Sequence, residues 1–194
     1  MNLLRTVAAL TAVAALATAC DDDEPRGAEW PTQDTKSSDA TSPDEPTEAP
    51  SKPALPDAAT KPTKAGAKAF IHYYWDVVNY ALTTGKTKPL ERITSSSCDT
   101  CVALVRDIAK HYRAGGNITG GAQSAEITEI SEVKVPDPDV YSFKVTQVVT
   151  NEAQKIVYGN GKVDRPAAGE NTWIAYVVWV ESRWRIDVQD VVSE

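Results

Sequence analysis

The chain has 194 residues, 27 acidic against 20 basic, and a net charge of −7. This length sets an expectation of one or two domains. An acidic balance with no basic stripe argues against a nucleic-acid surface. Of the three cysteines only Cys98 and Cys101 stand at ligand spacing, zinc would need two further ligands, and the two histidines form no such pair, so no metal or cofactor is expected.

The first element is a targeting segment. Arg5 precedes Thr6 to Ala19, a run of fourteen uncharged and mostly apolar residues. A membrane-spanning helix needs roughly 20 such residues. The run is therefore read as a secretory signal peptide over residues 1–19. It ends in Leu16-Ala17-Thr18-Ala19-Cys20, which resembles the lipobox of bacterial lipoproteins, with Ala17 where a leucine is often found. The resemblance implies lipidation of Cys20 and anchoring on the extracytoplasmic face of the cell membrane. Multiple acyl chains suit such anchoring, since a single chain binds membranes only marginally.

Residues 20–64 follow as an acidic tether. Positions 21–64 hold eight of the twelve prolines, one aromatic (Trp30) and a net charge of −6. Too little apolar surface is available there to offset the entropy of ordering. Residues 65–194 hold the other four tryptophans, all seven tyrosines and both phenylalanines, with a net charge of −2. That is enough for one hydrophobic core and a single globular domain.

Within the domain, Phe70, Ile71, Tyr74, Val77, Val78, Ala81 and Leu82 recur at helical spacing over about Lys68 to Thr84, and Gly85 ends the helix. A short helix starts near Pro89 and carries Leu90 and Ile93 inward. A third begins around Cys98, with Ser96 expected as its cap and Asp99 answering in a capping box. The glycines at 115–116 and 120–121 read as a flexible connection.

Strand periodicity follows. Ala125 to Val135 needs a bulge near Glu129 to align its apolar residues. Tyr141, Phe143 and Val145 are expected to face inward, as are Trp184, Ile186 and Val188 in the last strand. Residues Thr172 to Val180 are apolar on both faces, as in a central strand or one with a second partner surface. The order is α+β: three N-terminal helices on a curved antiparallel sheet of four or five strands. It resembles the cone of the nuclear transport factor 2-like fold.

Ala69-Phe70-Ile71-His72-Tyr73-Tyr74, Leu82-Thr83-Thr84-Gly85 before Pro89-Leu90, Ser95-Ser96-Ser97-Cys98-Asp99-Thr100-Cys101 and Trp184-Arg185-Ile186 together resemble an actinobacterial lipoprotein family of unknown function, DUF6318. The resemblance spans most of residues 66 to 190. It implies an envelope location and no particular chemistry.

With Cys20 assigned to lipid, Cys98 and Cys101 remain as a pair in an oxidising compartment, read as a structural disulfide at a helix start. Catalytic exchange lacks the βαβ setting of thioredoxin-like enzymes. His72 and Asp76, four residues apart on one helical face, could be a base and its orienting carboxylate, but read more simply as a solvated pair. Tyr74, Tyr141, Phe143 and Trp184 are the aromatics expected in a pocket or in the core. No catalytic set converges, so the domain reads as non-catalytic, binding a ligand or protein. The alternative is a small-molecule isomerase or hydratase with a pocket inside the cone. The second apolar face of the sheet is where a homodimer or an envelope partner would bind.

Overall fold

The computed structural model describes residues 50–192. The signal segment, Cys20 and Trp30 lie outside them. Helix α1 is Lys64–Thr84, α2 is Lys88–Glu91 and α3 is Asp99–Arg113. Seven strands follow: β1 Asn117–Gly120, β2 Gln123–Val133, β3 Tyr141–Asn151, β4 Gln154–Val157, β5 Val163–Asp164, β6 Gly169–Val180 and β7 Arg183–Val191.

Helix α1 starts one turn earlier than its apolar periodicity suggests. The Thr63 hydroxyl accepts from the Gly66 N–H at 3.0 Å and satisfies one of the helix's orphan donors. Its buried side extends round most of the helix, from Ala67 through Phe70, Ile71, Tyr74, Val77 and Val78 to Ala81. Residues Asp57–Thr60, which composition alone assigns to the tether, form a 3-10 turn against the domain. Ala59 is 1% exposed there, and the Trp184 indole N–H donates to the Lys61 carbonyl at 3.1 Å.

Helix α1 lies on a four-stranded antiparallel sheet ordered β2-β3-β6-β7. Phe143, Val145 and Val149 of β3, Ala175 and Val177 of β6, and Trp184 and Ile186 of β7 form the buried face. The sheet's register shifts between Ile127 and Glu129, which marks a bulge at Thr128. A second shift, between Tyr176 and Val177, turns the end of β7 over. Gln189 is thereby buried, and Val188, expected inward, is 40% exposed. The outer edge of β7 is partly covered by the chain after α2, where Ser95 N–H donates to Ile186 O and Ile186 N–H donates to Ile93 O.

The α+β order with three helices holds, but the single curved sheet of four or five strands does not. The strands form two separate sheets, β2-β3-β6-β7 and β1-β4-β5, neither closed nor strongly curled, so the cone expectation is corrected. The physical reason lies in the segment read as a flexible connection. Gly120 and Gly121 both take left-handed backbone, at φ 69° and 74°, a region that side chains with a Cβ rarely enter. They interrupt the ribbon and divide the β1–β4 ladder from the β2–β3 ladder. The two halves of the ribbon stay linked by Gly121 N–H to Ala153 O and Glu152 N–H to Ala122 O.

The buried face carries polar groups as well. Trp75 donates its indole N–H to Gln147 Oε1 at 3.0 Å, wholly inside the core. Tyr74 is 1% exposed, and burial pushes its phenol far above the ordinary 10.0, with a Gln189 hydrogen bond pulling the other way. Burial raises Tyr73 and Tyr112 too. A raised folded-state value means stability is complete below the unfolded value and is lost as pH rises toward the folded one. Stability measured by urea unfolding should therefore fall as pH climbs past about 10. Tyr74→Phe should lessen that fall, and an unchanged slope would refute the assignment.

Candidate functional site

The aromatics singled out from the sequence are core, with one exception. Phe143 and Trp184 have ring centroids 5.9 Å apart, and Phe70 stacks on Trp184 at 6.4 Å. Tyr74 meets Trp75 edge-on at 5.2 Å. Tyr141 is corrected: it begins β3 and is 43% exposed, so it is not part of the core. A small cavity of about 150 Å³ adjoins Phe70, Trp179 and Trp184. His72 and Asp76 are both exposed, with no hydrogen bond between them among the described residues.

Cys98 and Cys101 form a disulfide, and both are 1% exposed. The cap of α3 is Cys98 rather than Ser96: its Sγ accepts from the Cys101 N–H at 3.3 Å. The bond lies in the core and staples the start of the helix. Among the described residues no group of three His, Cys, Asp or Glu side chains could hold a metal.

The larger open space lies between α3, the end of α1 and the small sheet. It is a groove of about 500 Å³. Its aliphatic lining comes from Leu82 of α1, Leu104 and Ile108 of α3, and the cross-strand pair Ile118 and Ile156 of β1 and β4. Tyr112 holds these three elements together. Its hydroxyl donates to Leu82 O at 2.6 Å and accepts from the Ile118 N–H at 3.3 Å. Gly159 lines the groove where the turn after β4 meets the end of α3. A Cβ there would sit 1.7 Å from the Ala114 carbonyl oxygen, so only glycine permits the approach.

Polar groups gather toward the end of α3. His111 and Tyr158 meet edge-on at 5.3 Å. His111 Nε2 lies 3.2 Å from the Asn117 carbonyl oxygen. Tyr158 donates its hydroxyl to Asp164 at 2.9 Å, and this bond is the largest cause raising its phenol above the ordinary range. Lys162 Nζ lies 3.1 Å from Oδ1 of the Asp164 carboxylate and donates to Oδ2, the oxygen Tyr158 also uses, at 3.2 Å, and its hydrogen bond is the main cause lowering that acid. Asp107 and Lys110 mark the mouth, and Asp107 pairs with Arg106 at 2.9 Å.

Sequence reasoning missed this groove. Its lining is dispersed over positions 82 to 159, and it includes Ile118 of β1, a strand that reads as loop in the sequence. The one local signal was the alternation of Ile156 and Tyr158.

No curated protein matches the chain. Among solved structures, the intermembrane-space region of the chloroplast protein ARC6 is 12% identical, covering 68% of this chain and 98% of that one, with a TM-score of 0.44. The β subunit of benzoate 1,2-dioxygenase from Burkholderia mallei is 11% identical over 68% and 91%, at 0.41. The association domain of C. elegans CaMKII is 11% identical over 69% and 100%, at 0.37. These scores are too low to transfer a site. Residues 37–190 match the model of a family of unknown function, DUF6318.

Proposed function

We propose a binding function, without catalysis, for a chain that belongs to the DUF6318 family of unknown function. The observation that carries it is the aliphatic groove of about 500 Å³ between α3 and the small sheet. Ligand sites are commonly concave, mainly apolar and furnished with a few polar groups. The nearby His111 and Tyr158 are already bonded to the protein, as orienting groups would be, rather than to each other as a base and its acid.

The groove is tested with N-phenylnaphthylamine, a neutral apolar fluorophore. Its emission should rise on addition of the domain. Ile156→Asp should weaken its binding by at least about tenfold, since burying a carboxylate costs several times the lost apolar contact. The intrinsic tryptophan emission of the variant should stay native, which separates a lost site from a lost fold. Unaltered dye binding in Ile156→Asp would refute the groove.

The same reading sets the domain at a membrane. It rests on the apolar run that ends at Cys20, which lies outside the described residues. Among the described residues no helix is long and apolar enough to cross a membrane. Lipid on Cys20 is the anchor in this reading, the acidic segment its spacer, and the groove faces the extracytoplasmic side. In the native host, Cys20→Ala should move the protein from the membrane fraction to the soluble one or block processing. A variant that stays membrane-bound and is cleaved as before would contradict the anchor.

A second copy of the chain is the occupant we assign to the sheet's outer face. Val178, Tyr176 and Ile174 run along its centre. Arg185 pairs with Val178 and Lys144 with Tyr176, while Glu129 and Glu126 pair with Thr146 and Val148 further along. Charge therefore changes sign along the strands. A two-fold axis perpendicular to the strands sets the basic end of one copy over the acidic end of the other. Sedimentation of the soluble chain lacking its signal segment should show a dimer. Arg185→Glu should weaken it, and Arg185→Glu with Glu129→Arg should restore it. A strictly monomeric chain at every concentration would eliminate this association.

A further inference from the structure

The polar end of the groove is restrictive in its hydrogen bonding. The Asn117 carbonyl at 3.2 Å can only accept, so Nε2 of His111 carries the proton. In the ring's neutral form Nδ1 is then a lone-pair acceptor, and it makes no hydrogen bond among the described residues. The Tyr158 hydroxyl is committed in the same way. Its proton goes to the Asp164 carboxylate at 2.9 Å, which leaves the phenolic oxygen only lone pairs. Lys162 neutralises that carboxylate and lies 5.3 Å from the Tyr158 ring centroid, which fixes the ring further.

Two neighbouring aromatic groups, each with its donor already used, select for a ligand that donates. We propose that the groove takes an apolar molecule ending in a hydroxyl, an aliphatic or alicyclic alcohol, and discriminates against the corresponding carboxylate. This rests on the binding reading above and adds the ligand's class. An anionic end group has no proton to give and would face two acceptors. That juxtaposition leaves polar groups unpaired, the arrangement by which binding sites reject an analogue most strongly. An ammonium end could donate, but the groove floor is aliphatic. The carboxylate at its mouth, Asp107, is already paired with Arg106. Gln154 also lines the groove and can turn either end of its amide to the ligand, so it is compatible with an alcohol. Lys110 stands exposed at the mouth and is the one lining group that would attract an anion.

The test is competition for bound N-phenylnaphthylamine by 1-decanol below its solubility limit and by sodium decanoate below micelle formation, in mildly alkaline buffer. These probes share the apolar chain and differ in the end group. Decanol should displace the dye with an affinity roughly tenfold higher than decanoate, the difference one unpaired hydrogen-bonding group makes. His111→Phe should erase that preference, and Tyr158→Phe should reduce it, the decanol-to-decanoate ratio being read within each variant against that variant's own dye affinity. Decanoate binding as tightly as decanol, a preference that survives both substitutions, or decanoate binding that depends on Lys110→Gln would each overturn the proposal and leave the groove itself standing. Failure of the groove appears differently: neither probe displaces the dye, and Ile156→Asp changes nothing.

Discussion

The structure depends first on the burial of α1. Its apolar residues cover far more than a single stripe, and the helix is enclosed by the sheet, by the turn at Asp57–Thr60 and by α2. Phe70, Tyr74 and Val77 meet Phe143, Val145, Val177 and Trp184 in one continuous core. Each large aliphatic or aromatic side chain removed from water contributes roughly 1.5–3 kcal/mol, so the core outweighs any ion pair seen here. The three ion pairs among the described residues are exposed surface contacts and add little.

Polar groups inside this core fix how the helix sits. The Trp75 indole reaches across to Gln147, and Tyr74 lies against Gln189. An apolar surface alone tolerates sliding, whereas a buried donor left unpaired costs about 1–3 kcal/mol. The pairing of Trp75 with Gln147 therefore selects one register of helix on sheet. Gln147 Nε2 and Gln189 Oε1 are left without protein partners in the same layer, and we have no physical account of them.

The groove is a consequence of the broken ribbon. If β1 and β2 had continued as one strand, β1 and β4 would have lengthened the main sheet. The left-handed pair Gly120–Gly121 separates them, and the small sheet then faces α3 across an aliphatic gap. Tyr112 and the close approach at Gly159 hold the two walls at fixed spacing. The proposed binding function rests on this gap and on the contacts that hold it open.

The sequence by itself determined much that is local. Helix α1 and its left-handed stop at Gly85, the short helix at Pro89, the bulge in β2 and the Cys98–Cys101 pair all follow from neighbouring residues whose chemistry acts over a few positions. Family membership was legible in short motifs for the same reason. Tertiary structure decided the rest. Whether two adjacent glycines bend a sheet or divide it depends on what packs beyond them. The outward turn of Val188 and the exposure of Tyr141 depend on a register shift in β6–β7 and on a strand's starting point, neither of which alternation encodes. Groove residues came together from α1, α3, β1 and β4 only because long-range packing placed them there. Their spacing along the chain carries no period, so no reading of the sequence alone could join them.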